Sequence, residues 1–332
     1  MTRILGIIII VGSIVAGWYW SAYQTFLDTP LAVPDEGLVL NVAPGTTLKR
    51  LSSELAGKGV LTQPDFLYWH ARWENLAHRI RAGEYLVPKG TRPQAFLELL
   101  VRGKTISYSL TLLEGWNFKQ VMAAVRGNPI LKRELDGLDF GQIMERIGQP
   151  GVHPEGRFFP DTYAFPRGTT DTEFLRRAFD KMQQELDAAW ETRNKKTIQV
   201  KSREEALILA SIIEKETGVA HERPEISGVF TRRLRLGMKL QTDPTVIYGM
   251  EDRFDGNIRR KDLREDTPYN TYVHKGLPPT PICMPGRAAL DAALNPKEGK
   301  SLFFVSRGDG THVFSATLEQ HNAAVRKYQL KQ

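Results

Sequence analysis

Residues 203–218 read REEALILASIIEKETG, and this stretch decides the fold of the larger part of the chain. Ala206 through Ile213 is apolar on nearly every helical face except at Ser211, which predicts a helix buried at the centre of a domain. An S-x-x-E capping box, Ser202 with Glu205, marks where the helix begins. Gly218 marks where it ends.

Glu214 comes directly after the apolar run and, by the ~3.6-residue helical period, lies on the same face as Leu207 and Ala210. Glu216 must point to a different side. A carboxyl group at the end of a buried helix loses water and keeps its proton, as a general acid near neutral pH requires. An ion pair with an arginine of the next helix is the structural alternative, and it stays open. Candidate partners are Arg223, Arg232, Arg233 and Arg235.

Two later segments place hydrogen-bonding side chains beside aromatic rings. Sugars need both, because their hydroxyl groups form hydrogen bonds and their C–H faces stack on rings. Such residues also cap ordinary loops, so that interpretation stays open as well. The candidate substrate-binding residues are Gln241, Thr242, Asp243, Tyr248, Tyr269, Asn270, Thr271 and Tyr272.

Ile4 to Trp20 carries no charge and approaches the ~17 to 25 apolar residues that cross a bilayer core as a helix. Arg3 precedes this segment and three aromatic residues end it, so the positive-inside and aromatic-belt rules place the rest of the chain outside the cytoplasm. A cleaved signal peptide is the alternative, although the bulky sequence GWYWSAY makes a poor cleavage site.

The rest of the chain predicts an α+β fold. Residues 38–42 alternate like a strand, residues 48–60 have helical spacing, and later segments repeat this strand, turn and helix order loosely. Aromatic residues and prolines become frequent after residue 150. The predicted segments are a transmembrane anchor at 1–22, a tether at 23–37, a small α/β region at 38–105, a connecting α/β segment at 106–150, and an α+β domain at 151–332.

Several classes of function lack support in the sequence. The net charge of +7 is scattered, so no nucleic-acid site is predicted. Cys283 is the only cysteine, and the seven histidines show no zinc-binding spacing. The sequence contains neither a phosphate-binding Gly-rich loop nor a nucleophile elbow. We therefore predict no metal and no cofactor.

Several longer strings of the sequence are distinctive when taken together. They are ASIIEKE (210–216), RLRLGMKLQTDPTVIYG (233–249), YNTY (269–272), GLPPTPICMPG (276–286) and EGRFFPDTY (155–163). Their combination resembles the YceG-like (MltG) endolytic lytic transglycosylases of bacterial cell walls. The resemblance implies that 38–105 is LysM-like, that 151–332 is catalytic, and that Glu214 is the catalytic acid.

The implied reaction cleaves the MurNAc–GlcNAc bond within glycan strands and leaves 1,6-anhydro-MurNAc ends. The implied partners are peptidoglycan glycan strands, inner-membrane lipid around residues 4–20, and glycan-polymerising synthases. The implied location is the inner membrane, with the catalytic domain on its extracytoplasmic side. Two alternatives stay open: a two-carboxylate hydrolase with Asp243 as second acid, and a non-catalytic glycan-binding scaffold.

Three substitutions, one of them a control, express these expectations. Asn270→Ala should weaken turnover without unfolding the domain. Glu214→Gln should abolish most activity. Glu216→Gln serves as the control, because helical geometry turns Glu216 away from the face that carries Glu214.

Overall fold

One long helix, α1 (Thr2–Asp28), begins the part of the chain that the computed structural model describes, residues 2–330. Within those residues α1 is the one helix long and apolar enough to cross a membrane, a test that a signal sequence also passes. The helix continues through residues 23–28, which the sequence assigns to a tether. Phe26 is buried there, and its ring lies 5.7 Å from that of Phe66.

The chain divides into two compact units. The first comprises residues up to Tyr108 together with Ala164–Gly168. After α1 it contains β1 (Leu38–Val42), α2 (Leu48–Gly57), α3 (Pro64–Trp73), β2 (Gly83–Val87) and α4 (Pro93–Arg102). The predicted strand at 38–42 is confirmed, and it pairs antiparallel with β2, Leu38 opposite Val87.

The core of the first unit agrees with the predicted helical spacing. Leu48, Leu51 and Leu55 of α2 are all buried, and Thr47 caps the helix by accepting a hydrogen bond from the backbone N–H of Arg50. Such a cap satisfies a donor that the first turn of a helix leaves unpaired. A second two-stranded sheet is formed by β3 (Ser107–Thr111) and β4 (Thr162–Pro166).

The second unit comprises Ser109–Tyr163 and the chain from Thr169 onward. Residues 109–150, which belong to the predicted connecting segment, cluster with the later part of the chain. Its helices and strands are α5 (Phe118–Gly127), α6 (Phe140–Arg146), α7 (Asp171–Glu191), α8 (Arg203–Glu216), α9 (Arg223–Arg235), α10 (Asp243–Met250), α11 (Arg287–Leu294), β5 (Phe303–Ser306), β6 (His312–Ser315) and α12 (Leu318–Tyr328).

The predicted buried helix, α8, lies at the centre of the second unit. Every residue from Ala206 to Ile213 is buried, and α8 packs against α7, α9, α10 and α11. Ser202 caps it by accepting a hydrogen bond from the backbone N–H of Glu205. Helices and small two-stranded sheets together, with one apolar N-terminal helix, match the predicted α+β class.

Candidate active site

Glu214 lies in the last turn of α8, and its side chain is only 6% exposed. One carboxylate oxygen accepts a hydrogen bond from the backbone N–H of Gly286 at 2.9 Å. The other lies 3.3 Å from the guanidinium of Arg223. Arg223 is one of the four candidate partners in the sequence, and the structure selects it.

The pKa of Glu214 is raised above its ordinary value. Burial is the main cause, and the negative charge of Glu114 adds to it. The Gly286 N–H and the Arg223 guanidinium oppose the shift, because both stabilise the ionised form. The site therefore favours a protonated carboxyl group while keeping partners ready for the carboxylate.

Glu114 reaches this site because two loops run side by side. The backbone N–H of Gly115 donates to the carbonyl of Met284, and that of Met284 donates to the carbonyl of Trp116. This pairing sets the Glu114 side chain against Gly286, where a Cβ would lie 1.8 Å from a Glu114 carboxylate oxygen. A side chain at position 286 would therefore displace the exposed Glu114 carboxyl group, although the φ of −81° at this position suits any residue.

Glu216 is partly buried, and its carboxyl group accepts a hydrogen bond from the hydroxyl of Thr242. Burial raises the pKa of Glu216 to about 7, and the nearby Asp243 charge contributes to the shift. Glu216 and Glu214 thus point to different sides, as helical geometry predicts. However, Glu216 is part of the packed structure around α10 and not a bystander on the surface.

The segments at 241–243 and 271–272 come together next to Glu216. The backbone N–H of Thr242 donates to the hydroxyl of Thr271 at 3.0 Å, and both threonines are buried. The hydroxyl of Tyr272 donates to Asp243 at 2.6 Å. Asp243 itself is exposed, and so is Gln241, whose φ is +51°. A positive φ is uncommon outside glycine and marks a sharp turn that pushes Gln241 outward.

Asn270 is only 1% exposed, and both hydrogens of its side-chain amide are used inside the protein. They bond to the backbone carbonyls of Asp262 at 3.0 Å and Glu265 at 2.7 Å. Its oxygen accepts from the backbone N–H of Tyr272. The amide therefore shapes the loop from within instead of facing solvent.

Tyr248 and Tyr269 form a second cluster, with ring centroids 4.8 Å apart. The hydroxyl of Tyr248 donates to Glu155 at 3.0 Å, and Glu155 also accepts from the backbone N–H of Phe118 at 3.0 Å. Burial raises the pKa of Glu155 to about 7. Glu155 is thus a third glutamate of this unit with a raised pKa, after Glu214 and Glu216, and it lies against the start of α5.

A cleft of about 710 Å³ opens beside this cluster. Its walls combine aromatic rings with hydrogen-bonding and charged groups of both signs, a lining suited to a polar ligand with apolar faces. Glu155, Tyr248 and Lys215 contribute to its walls, but Glu214 does not. The Lys215 ammonium donates to the backbone carbonyl of Gly115, so the cleft and the Glu214 site share the same two loops.

Sequence reasoning misses three residues that the structure brings to these sites. Glu155 lies within the string EGRFFPDTY, but the sequence alone assigns it no role. Glu114 reads only as part of a turn, and Gly286 only as the end of a Pro-rich loop. Both glutamates are followed directly by glycine, but the same pair occurs elsewhere in the chain, so no local signal identifies them. Among the described residues, no group of three or more potential ligands is arranged to hold a metal ion.

Comparison with known proteins adds independent findings. The sequence model of the YceG-like family matches residues 40–327. The chain is 31% identical over 306 residues to the endolytic murein transglycosylase of Bacillus subtilis strain 168, covering 87% of this chain and 84% of that protein. It is 23% identical to the endolytic murein transglycosylase of Streptococcus pneumoniae strain D39, covering 98% of this chain but only 65% of that longer protein.

A solved structure agrees with these matches. A YceG-like protein of Listeria monocytogenes superposes with a TM-score of 0.54 at 29% sequence identity. The superposition covers 87% of this chain and 99% of the other.

Proposed function

The chain belongs to the YceG-like family, and from that premise we propose that it is an endolytic murein transglycosylase that cuts peptidoglycan glycan strands. The bond it cleaves is the one between MurNAc and GlcNAc, within a strand and not at its end. The observation that carries the proposal is the buried carboxyl group of Glu214, which has a raised pKa and is held by the Gly286 N–H. One acid of this kind is all that the reaction requires.

Glu214 acts first as an acid and then as a base. Its proton passes to the glycosidic oxygen as the bond from MurNAc C1 to that oxygen breaks, and the released GlcNAc end carries the proton. The carboxylate then accepts the proton of the MurNAc C6 hydroxyl while the C6 oxygen bonds to C1. A 1,6-anhydro end forms, no water is consumed, and Glu214 regains its proton. Gly286 and Arg223 stabilise the carboxylate between the two steps.

The predicted substrate-binding residues divide into two groups by exposure. We propose that the exposed or half-exposed side chains contact sugar, namely Gln241, Asp243, Tyr248, Tyr269 and Tyr272. The buried side chains hold the loops beneath them, namely Thr242, Asn270 and Thr271. Aromatic faces next to amide and carboxylate groups are suited to N-acetylated sugars, because each ring covers a C–H face and each polar group pairs with a hydroxyl or amide.

A two-carboxylate hydrolase is the second candidate, and one observation favours it. The second acid would be Glu114, which is exposed, lies against Gly286 and acts on the pKa of Glu214. The sequence suggests Asp243 for this role, but Asp243 accepts a hydrogen bond from Tyr272 and its charge acts on Glu216. A non-catalytic scaffold that binds glycan would need neither acid.

Mass spectrometry of fragments released from purified sacculi separates these candidates. A transglycosylase gives 1,6-anhydro-ended fragments several disaccharides long. Hydrolysis gives reducing ends, and each such fragment is heavier by one water molecule than its 1,6-anhydro counterpart. A scaffold releases no more fragments than sacculi incubated without the protein. Reducing ends alone would therefore overturn the proposed reaction without overturning cleavage.

The domain and membrane assignments complete the proposal. We propose that α1 anchors the chain in the cytoplasmic membrane, with the rest of the chain on the extracytoplasmic side, although the side chain of Arg3 lies outside the described residues. Residues 38–105 would be a LysM-like region that binds glycan, 106–150 would be a connecting segment, and 151–332 would carry catalysis. Glycan-polymerising synthases are the protein partners we expect, since nascent strands would be the substrate.

A further inference from the structure

Helix α3 packs directly against the second half of α1. The ring of Phe66 lies 5.1 Å from that of Tyr19 and 5.8 Å from that of Tyr23, both in edge-on contacts. The hydroxyl of Tyr23 lies 2.7 Å from the imidazole of His70. Helix α1 therefore continues without a break from its apolar segment to the residues that contact α3, so no flexible segment lies between them.

Helix α3 also carries two large exposed aromatic side chains. Trp69 is 59% exposed and Trp73 is 82% exposed. Together with residues of α1, among them Gly12, Val15 and Ala16, these two tryptophans line an open cleft of about 1020 Å³. A soluble surface would not normally expose two tryptophans four residues apart on one helix.

The length of α1 determines what surrounds this cleft. The uncharged segment from Ile4 to Trp20 has 17 residues and, at 1.5 Å per residue, is about 26 Å long, slightly less than a ~30 Å hydrocarbon core. If α1 spans a membrane, the whole segment must lie in lipid, including Gly12, Val15 and Ala16, which at 1.5 Å per residue lie about 6–12 Å inside the end of the segment at Trp20. The side chains that face them across the cleft must then lie in the boundary region between headgroups and acyl chains.

Arg72 supplies the polar group that such a position needs. Its guanidinium lies over the rings of Tyr68 and Trp69, 5.9 Å and 5.7 Å from their centroids. An arginine held among aromatic rings at a membrane surface can extend its charge to lipid phosphates while the rings occupy the boundary with the acyl chains. Trp18 and Trp20 of α1 provide the same kind of residue on the neighbouring helix.

We propose that α3 is a second membrane contact of this protein: Trp69 and Trp73 insert into the outer surface of the bilayer that α1 spans, Arg72 pairs with lipid phosphate, and phospholipid acyl chains fill the cleft between the two helices. The inference rests on the proposed anchoring by α1. Two contacts fix the first unit against the membrane, so the distance of its glycan-binding surfaces from the bilayer is set by the fold. Interfacial helices of this kind bind through buried apolar area together with attraction to anionic lipids.

Lipid-depth quenching on the full chain tests the inference. Because Cys283 is buried, an introduced surface cysteine is the residue that a polarity-sensitive fluorophore labels. Trp73→Cys reports on the cleft, and Lys49→Cys, at an exposed position on α2 of the same unit, is the matched control. Each labelled chain is reconstituted into vesicles of phosphatidylethanolamine and phosphatidylglycerol, with and without acyl chains that carry a nitroxide near the glycerol.

The nitroxide lipid should lower the emission of the label at 73 at least about twofold, because an interfacial helix lies at the boundary of headgroups and acyl chains. The label at 49 should respond only to a water-soluble quencher. Equal responses at the two positions would overturn the inference. A label at 73 protected from both quenchers would also overturn it and would assign the cleft to a second copy of the chain or to a protein partner.

The same samples separate this inference from the proposed reaction. Cleavage of sacculi by the labelled chains in detergent reports only on catalysis, so loss of cleavage in every chain, wild type included, would reject the reaction and leave the quenching result valid. A wild-type chain that alkaline washing removes from the vesicles would overturn both the anchoring and the inference.

Discussion

Glu214→Gln removes the transferable proton of the proposed acid while preserving the size of the side chain. Loss of general acid catalysis costs ~100- to 10,000-fold in rate, which corresponds to about 2.7–5.5 kcal/mol of activation free energy. We expect a loss in this range, because Glu214 is the one residue that both protonates the leaving oxygen and activates the C6 hydroxyl in the proposed mechanism.

The same substitution also affects stability. Glu214 and Arg223 have side chains that are 6% and 10% exposed, and removing one partner of a buried pair costs up to ~3–5 kcal/mol. The glutamine oxygen keeps one hydrogen bond, either to the Gly286 N–H or to Arg223, so we expect a smaller loss of about 1–3 kcal/mol. Activity must therefore be compared at a temperature where both proteins are fully folded.

Glu216→Gln is the matched control, because Glu216 lies on a different side of the helix and because its protonated form resembles glutamine. Burial raises the pKa of Glu216 to about 7, so an amide resembles the protonated side chain that the fold already accommodates. It can still accept the hydrogen bond from Thr242. We expect this variant to fold and to keep activity close to that of the wild type.

The assay counts 1,6-anhydro ends released from sacculi by mass spectrometry, and circular dichroism in the same detergent reports folding. If Glu214→Gln releases these ends at near the wild-type rate and Glu216→Gln does not, the acid has been assigned to the wrong glutamate. If both folded variants stay active, α8 is structural and Glu114 or Glu155 becomes the next acid to substitute.

Four further predictions concern other residues. The pKa of Glu155 is about 7 in the folded protein, against an ordinary 4.5. The protonated side chain therefore contributes its full stabilisation below the unfolded-state pKa, and this stabilisation is lost as the pH rises through the folded-state pKa. Between about pH 4 and about pH 8, the free energy of unfolding measured by urea titration should fall by at most about 3 kcal/mol because of this group. This part of the fall should be absent in Glu155→Gln. Gly286→Ala should lower activity because its Cβ would displace the Glu114 carboxyl group. In a protein that already carries Glu114→Ala, Gly286→Ala should have no further effect, so the double variant should be as active as the Glu114→Ala single variant. Asn270→Ala removes the side-chain donor to the carbonyls of Asp262 and Glu265, which keep backbone donors, and leaves the backbone N–H of Tyr272 without its acceptor. It should cost ~1–3 kcal/mol in thermal unfolding. A reporter fused after residue 332 should be active only outside the cytoplasm, and activity in the cytoplasm would reject the topology.

Local signals account for the elements that the sequence predicts well. The strand at 38–42 and the helix at Leu48–Gly57 are indicated by alternation and by leucine spacing, both of which lie within a dozen residues. Gly57 and Gly59 predict where this helix stops, and the helix does end at Gly57, with the chain turning at Gly59, whose φ is +72°.

The tether shows a different limit. Residues 23–37 contain two prolines and little periodicity, and composition alone suggests an extended linker. In the structure α1 runs on to Asp28, because Tyr23 and Phe26 find partners on α3 that stabilise the added turn and a half. In folded proteins tertiary packing of this kind contributes more to helical stability than propensity does.

Contacts between distant segments are out of reach for a related reason. The helical period gives the direction in which Glu214 points, but not that Gly286, 72 residues later, meets it there. Glu155 is held by Phe118 from one side of the sequence and by Tyr248 from the other, 37 and 93 residues away. No spacing rule reaches so far, so these residues can be found only from the folded chain or from the family resemblance.

The ion pair with Arg223 looks at first like the structural role that the sequence leaves open for Glu214, but the two roles are compatible. A catalytic acid that later becomes a base must be stabilised in both forms, and the surroundings of Glu214 do both. Burial and Glu114 favour the protonated group, whereas Gly286 and Arg223 favour the carboxylate. An ion pair by itself lowers the pKa of a carboxyl group, as for Glu185, which lies between Lys181 and Arg287 in the same unit. At Glu214 burial outweighs the pairing, so the pair with Arg223 does not remove the acid function.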